Sequence, residues 1–256
     1  MKKRWKVFWI VSGAIAGIGV LFLIVGLVMG ASVSELRGRI PFWYRNCFID
    51  FDSSEQSDRA SVKVVDGELH SYSGISSLEI DVNSLEVNIV ESAGSEIEVE
   101  TEIADERINL KVWQEGKELN IETKGNIRIN NGGIVNIYIP SGMTLGELSV
   151  SVGEGALYAE RLSASEVDVA IGAGSADVEM IYAEQIDLEC GIGAMDLTFA
   201  GTDTDYDYDL ECGMGELEVG QQSFSGMAVD KTVHNGASKN ADIEVGMGSV
   251  NISFEK

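Results

Sequence analysis

Carboxylates are the side chains with which this sequence could do chemistry, because 42 of its 256 residues are Asp or Glu and only two are His. His70 and His234 lie in polar stretches apart from any Ser, Cys or carboxylate motif, so each is predicted to be a solvated loop residue and not a catalytic base. The sequence has no G-x-S-x-G, no H-E-x-x-H and no metal-spaced Cys/His group. No catalytic residue and no organic cofactor are therefore predicted.

Four aspartates recur at equivalent positions of a repeated segment, each four residues before a Gly-x-Gly: Asp168, Asp187, Asp209 and Asp242. If the repeats stack, these carboxylates form one row, and like charges in neighbouring strands repel. One interpretation is a solvated face that opposes edge-to-edge pairing. The other is a metal site that holds Ca²⁺ or Mg²⁺ between carboxylates, and its affinity is expected to be weak because no D-x-D-x-D-G loop is present.

Five copies of a strand ending in Gly-x-Gly position these aspartates. Apolar residues alternate on both sides of each glycine pair, but the buried parity switches there, as between Ile171 and Ala176. The chain must bend at each pair, where glycine allows the close approach of another backbone. The predicted structural corners are Gly153 and Gly155, Gly172 and Gly174, Gly191 and Gly193, Gly213 and Gly215, and Gly246 and Gly248.

Stacked copies would share one core, which predicts an all-β fold, a β-solenoid of Gly-x-Gly rungs over residues 76–256. The alternative is an antiparallel sandwich or barrel, since strands at these spacings also suit those folds. In the stacked arrangement, the middle residues Ile192, Met214 and Met247 are predicted to be buried. A nucleotide-binding loop would need a third glycine and a following helix, whereas a second strand follows each pair here.

Cys190 and Cys212 occupy the apolar slot that Val152, Ile171 and Val245 hold in the other copies. Two interpretations remain open. The thiols are small hydrophobic groups in the core, or they form a disulfide between adjacent rungs, which requires strict geometry.

Residues 1–31 are predicted to be a transmembrane signal anchor, with the lipid bilayer as its partner. Residues 7–31 contain no charge. This stretch is long enough to cross a membrane as a helix and is longer than the apolar part of a cleaved signal peptide. Four basic residues precede this span, which predicts a cytoplasmic N-terminus and an extracytoplasmic C-terminal domain at the cell membrane. Residues 32–75 are predicted to be a juxtamembrane spacer.

The charge of the chain excludes one class of partner. Formal net charge is −24, and four of the 18 basic residues lie in residues 1–31, which contain no acid, so the rest of the chain carries −28. Such a surface repels nucleic acid.

The sequence resembles the bacterial putative adhesin family, a β-strand-repeat domain of unknown function. The resemblance covers residues 75–254 and rests on Ile75-Ser-Ser-Leu-Glu-Ile-Asp-Val82, on Ile137-Tyr-Ile-Pro-Ser-Gly142 and on the Gly-x-Gly rungs. It implies a membrane-anchored member like those of Gram-positive bacteria, some of which are associated with cell-envelope stress systems. The family offers no catalytic residues.

The predicted function is a non-catalytic, membrane-anchored interaction or scaffold domain of the cell envelope, adhesin-like, with an envelope protein or a cell-wall glycan as partner. A first alternative is a module that senses envelope stress or a cell-wall glycan and acts through a membrane partner. A second is a polysaccharide-cleaving enzyme. That chemistry needs paired carboxylates beside basic or aromatic subsites, and the regular strands contain acids without nearby Lys or Arg.

Overall fold

A computed structural model describes residues 67–103, 107–124 and 132–256. This part of the chain is all-β, with a single 3-10 turn at Asp203–Asp205. The strands are β1 (His70–Tyr72), β2 (Ser77–Val82), β3 (Leu85–Ser92), β4 (Ile97–Ile103), β5 (Asn109–Glu115), β6 (Glu118–Lys124), β7 (Gly133–Pro140), β8 (Leu145–Ala159), β9 (Leu162–Tyr182), β10 (Gln185–Ala200), β11 (Tyr206–Val219), β12 (Gln222–Val233), β13 (Lys239–Val245) and β14 (Ser249–Glu255).

The predicted transmembrane span lies outside the described residues. Within the described ranges, no helix has both the length and the apolar character needed to cross a bilayer. The predicted spacer is described only from residue 67, and its last part contains β1, which pairs antiparallel with β4.

Strands β8, β9 and β10 are long because each one continues through its Gly-x-Gly without losing its partners. They pair in parallel both before and after the glycines. We call such a bent strand a rung, the part before the glycines its first arm, the part after them its second arm, and the bend its corner. In β9, Val169 and Ile171 are buried before the corner and Ala176 and Val178 after it, so the predicted switch of parity is confirmed.

Each rung doubles back on itself at the corner. Ala159 ends β8 and Leu162 begins β9, so the end of one rung lies within roughly 10 Å of the start of the next. Leu145, at the start of β8, pairs with Ala164, and therefore the start and the end of β8 are also close. The two arms must face each other, and their apolar side chains form one core between the two halves of a single bent sheet of 14 strands.

One further rung is built without a glycine pair. Strand β2 pairs with the first arm of β8 and β3 with its second arm, so Asn83 and Ser84 form a corner beside Gly153. Ser84 has a φ of 60°, a left-handed conformation that is uncommon for a residue other than glycine. Strand β6 pairs in parallel with β2, and strand β7 pairs in parallel with β3.

Antiparallel strands cover both ends of the parallel stack. At one end β5 pairs with β6 and β4 pairs with β7, and at the other end β12 pairs with β11. The antiparallel alternative is therefore realised only at the ends of a solenoid-like fold.

The fifth copy of the repeat lies out of chain order. Strands β13 and β14 pair with β10 on one side and with β11 on the other. Because β12 already covers the far edge of β11, the last copy takes the slot between the third and fourth copies. The rungs therefore run β8, β9, β10, β13–β14, β11.

Candidate functional site

All four aspartates that were predicted to bind a cation lie in one row, on the outer face of the first arms of the rungs. Asp168 pairs with Asp187, and Asp242 pairs with both Asp187 and Asp209. Neighbouring positions are about 4.8 Å apart, the spacing of paired strands. We call these residues the aspartate row; its order differs from the order in the chain because β13 inserts beside β10.

A second acidic row runs parallel to the first and nearer to the corners. In this glutamate row, Glu189 pairs with Glu244, which pairs with Glu211. The two rows together form the acidic face. Lys239 is the basic residue of the four strands that carry these rows, and its ammonium donates to the carbonyl of Ala200 and the hydroxyl of Tyr206 instead.

Burial, together with the charges of neighbouring carboxylates, raises the pKa values of four carboxyl groups on the acidic face: Asp168, Asp187, Asp242 and Glu244. Burial, followed by the charge of Asp187, raises the pKa of Asp168 to about 7. Burial, followed by the charges of Glu189 and Glu211, raises the pKa of Glu244 to about 7. The acidic face therefore takes up protons near neutral pH, and any cation that lies between the rows relieves the same repulsion.

Three carboxylates come close enough to hold one cation. Oxygens of Glu166, Asp168 and Asp187 lie within 4.8 Å of one another, and we call this group the carboxylate cluster. Oxygens bound at 2.3–2.6 Å to one Ca²⁺ are at most about 5 Å apart, so the cluster fits a hard divalent ion. The Oδ1 atom of Asp168 is buried without a hydrogen-bond partner, which leaves it available as a ligand.

Sequence reasoning missed one member of this cluster and included two residues that lie outside it. Glu166 lies two residues before Asp168 on the same face of β9, so the period of a strand could have identified it. Asp209 and Asp242 continue the row beyond the cluster. The four candidate residues thus form one row, and of these only Asp168 and Asp187 belong to the compact group of three.

A groove of about 380 Å³ opens on the same face, beside Asp187, Asp242 and Asp209. Asp207 lines it and is held ionised: its Oδ1 accepts hydrogen bonds from the backbone N–H groups of Asn235 (2.7 Å) and Ala237 (3.1 Å). These backbone donors lower the pKa of Asp207.

The two histidines occupy different settings. His234 lines the groove, and its Nδ1 lies 3.6 Å from Asp207 Oδ2, although 78% of the side chain is exposed. The prediction that His70 lies in a loop is wrong, because His70 begins β1 and is half-buried. Neither histidine is seated as an oriented base.

The predicted corner glycines stack on one another from rung to rung. A Cβ on Gly172, Gly191 or Gly246 would lie 2.6–2.7 Å from the carbonyl oxygen of the equivalent glycine in the neighbouring rung. The second glycines are packed more tightly still, as at Gly174, where a Cβ would overlap the carbonyl oxygen of Gly155. The backbones of adjacent corners therefore touch without room for a side chain.

Comparison with known proteins assigns the domain that contains these stacked corners to a family. Residues 75–256 match the family described as Toastrack DUF4097. The chain belongs to the Toastrack DUF4097 family. The resemblance predicted from the rung motifs is confirmed, and no curated protein matches the chain.

Three solved structures that are similar to this Toastrack chain are described as structures of adhesion proteins. A "putative cell adhesion protein" from Clostridium sporogenes is 20% identical over 73% of this chain and 98% of that chain, with a TM-score of 0.48. A "putative adhesin" from Parabacteroides distasonis is 14% identical, over 73% and 98% of the two chains, with a TM-score of 0.22. Another from Parabacteroides merdae is 12% identical, over 74% and 95%, with a TM-score of 0.23.

The middle residues of three Toastrack corners are exposed, so the prediction that they are buried is wrong. Ile192 is 55% exposed, Met214 60% and Met247 48%. Only backbone fits on the inside of each corner, and the middle side chain therefore points outward from the bend.

Of the two interpretations of Cys190 and Cys212, the structure supports small apolar groups in the core and excludes the disulfide between rungs. Cys190 and Cys212 are buried free thiols, and each pairs with Val245 of β13, which lies between them. The thiols are two strand spacings apart, about 10 Å, whereas bonded cysteines have Cα atoms at most about 7 Å apart. Burial raises the pKa of Cys190 to about 11, so this thiol is an inert core group.

Proposed function

We propose that this Toastrack chain is a non-catalytic, adhesin-like interaction domain of the cell envelope that binds cationic partners through its acidic face. The observation that carries the proposal is the aspartate row, in which four carboxylates lie in register on adjacent strands. Two carboxyl pKa values on this face are raised to about 7. A cation that neutralises these mutually repelling charges lowers the free energy of the face, which favours binding.

The arrangement supports binding better than catalysis. A glycosidase places one protonated and one ionised carboxyl group on opposite sides of a bond, whereas the carboxylates of the aspartate row all lie on the same side of one sheet. Lys239 is turned away from that face. A screen of envelope polysaccharides for cleavage tests this part of the proposal, and release of reducing ends by the purified chain would overturn it.

The proposal includes a membrane anchor. Residues 7–31 would cross the bilayer, the N-terminus would be cytoplasmic, and residues 32–75 would separate the extracytoplasmic domain from the membrane. The uncharged length of residues 7–31 and the basic residues before it support this topology. Protease added to intact cells should remove the C-terminal domain from the membrane fraction, and complete protection in intact but not in lysed cells would refute this orientation.

A charge-matched comparison tests the role of the acidic face. Full-length protein in detergent would be titrated with fluorescent oligolysine, and the variant Asp187→Asn/Asp242→Asn should bind it at least about tenfold more weakly at moderate salt. The control is Asp177→Asn/Glu179→Gln, which removes the same charge from two exposed positions on the second arm of β9. Equal weakening by both variants would show that only net charge matters and would overturn the proposal.

Partner identity separates the first alternative from the proposal. Crosslinking in cells followed by mass spectrometry should recover a protein with a basic segment if the acidic face binds proteins. Recovery of cell-wall glycan, independent of the acidic face, would favour the sensing module instead.

A second candidate function, weak binding of Ca²⁺ or Mg²⁺, is favoured by the carboxylate cluster and its unpartnered Asp168 oxygen. The ion would lie between three carboxylates on the sheet surface and neutralise part of their charge. The bound ion would relieve the repulsion between the carboxylates and would also weaken their attraction for cationic partners. Divalent cations should therefore compete with oligolysine in the titration above.

A further inference from the structure

Three exposed apolar side chains are concentrated at neighbouring corners of the stack. Ile192 belongs to β10, Met247 follows β13, and Met214 belongs to β11, so the three lie on consecutive rungs in that order. We call them the apolar ridge. They account for half of the six large hydrophobic residues that are exposed in the described part of the chain.

The apolar ridge is held rigidly by the backbone beneath it. The N–H of Met247 donates to the carbonyl of Gly191 at 2.7 Å, and the N–H of Met214 donates to the carbonyl of Gly246 at 2.8 Å. These bonds join each corner to the next. A partner would therefore meet a preformed line of side chains, which lowers the entropic cost of binding.

Carboxylates run along the apolar ridge. Each ridge residue is preceded by a member of the glutamate row three residues earlier in the chain. On the other side of the corners, Asp196 and Glu218 are exposed on the second arms. The apolar line is thus bordered by negative charge on both sides, so its complement is an apolar stripe bordered by positive charge.

The spacing of the ridge selects the backbone of such a partner. Neighbouring rungs are about 4.8 Å apart. Side chains one turn apart on a helix are about 5–6 Å apart, whereas alternate side chains of an extended chain are about 7 Å apart. A helix laid across the rungs therefore matches the ridge better than an extended peptide does.

We propose that the apolar ridge and the glutamate row together form a docking strip for a basic amphipathic helix of a partner protein. The apolar stripe of the helix packs on Ile192, Met247 and Met214, and its Lys and Arg side chains reach the glutamates along their flexible stems. This inference rests on the proposed function and names the kind of cationic partner that the acidic surface takes.

A second copy of the chain is a poor occupant by comparison. Both copies would present the same acidic borders, and the chain beyond residue 31 carries a formal charge of −28. Three side chains also provide far less than the roughly 800 Å² per partner of a standard interface. The complementary charge of a basic helix removes the first difficulty, and its Lys and Arg side chains extend the contact from the ridge over the glutamate row.

The test uses full-length protein and two synthetic peptides of identical Leu and Lys content. In one the leucines follow i, i+3, i+4, i+7 spacing, and in the other the same residues are scrambled. We expect the patterned peptide to bind at least about tenfold more tightly, as measured by fluorescence anisotropy, and added salt should weaken both. The variant Met214→Ser/Met247→Ser should lose that advantage, because it removes two thirds of the ridge.

The control variant is Leu69→Ser/Tyr158→Ser, which removes two comparably exposed hydrophobic residues elsewhere on the domain. It should retain full preference for the patterned peptide. Equal binding of the two peptides, or equal loss in both variants, would overturn the docking strip, while the proposed function would still stand if oligolysine binding depended on the aspartate row. Self-association of the wild type that the ridge variant abolishes would instead identify the strip as a contact between copies and would also overturn the inference.

Discussion

Replacing one corner glycine by alanine tests the geometry on which the whole domain depends. At Gly174 a Cβ would overlap the carbonyl oxygen of Gly155, and the φ of 148° lies outside the range that side chains favour. Overpacking against atoms that cannot move freely costs about 1–3 kcal/mol, and an unfavourable φ adds about 1–2 kcal/mol. We expect Gly174→Ala to reduce the free energy of unfolding by about 2–5 kcal/mol.

Three matched substitutions separate the two causes. Gly172→Ala has the close contact alone, with a Cβ 2.6 Å from the carbonyl oxygen of Gly153, and should cost about 1–3 kcal/mol. Gly116→Ala has the unusual φ alone, at 62° with no atom within 4 Å, and should cost about 1 kcal/mol. Gly94→Ala has neither, since its nearest contact is 3.4 Å away, and should be neutral or slightly stabilising.

Urea denaturation of the four variants, followed by tryptophan fluorescence and circular dichroism, measures these differences through the transition midpoint at constant m-value. Loss of stability in the order Gly174, Gly172, Gly116, Gly94 is the expected result. If Gly172→Ala were as harmless as Gly94→Ala, adjacent corners could not be in backbone contact, and the stacked fold would be wrong.

Three further predictions follow from the acidic face and the core. Folded Asp168 and Glu244 have pKa values of about 7 whereas unfolded carboxyl groups titrate near 4, so the folded state binds more protons between these pH values and the melting temperature should rise by about 5 °C from pH 8 to pH 5. Calorimetry of Asp168→Asn/Glu244→Gln should show a smaller change of melting temperature with pH, and a change as large as that of the wild type would show that these two groups are not its cause. Millimolar Ca²⁺ should raise the melting temperature relative to chelator in the wild type but not in Asp168→Asn, and a wild type that melts identically in both would refute the carboxylate cluster as a cation site. Cys47 is the third cysteine of the chain, and in a Cys47→Ser background Cys190 and Cys212 should react with a thiol reagent only after unfolding. If the protein had a mass two units lower before reduction than after it, the disulfide that the fold forbids would be present.

The period of the sequence was sufficient to predict the rungs. The alternation in β9, the parity switch at Gly172 and the turn back into β10 are local properties of a strand, since inward and outward positions follow from the pleat alone. Residues of the acidic face could be assigned to one surface for the same reason, and even Glu166 was within reach of that rule.

Which rungs are neighbours could not be predicted in this way. The sequence order suggested that Cys190 and Cys212 are adjacent, yet Val245 lies between them. The difference arises because β12 covers the far edge of β11, and the choice between two free edges depends on contacts between residues distant in the chain. Periodicity contains no information on that choice.

The sequence by itself therefore determined the bend of each rung, the two faces of each arm and the row to which every carboxylate belongs, because these depend on neighbours two or three residues away. Only the tertiary structure decided that Asp242 lies beside Asp187, that Met214 and Met247 point outward, and that one groove gathers four carboxylates. The physical reason is that a sheet edge accepts whichever strand reaches it, and a glycine corner has room for a side chain only on its outer side.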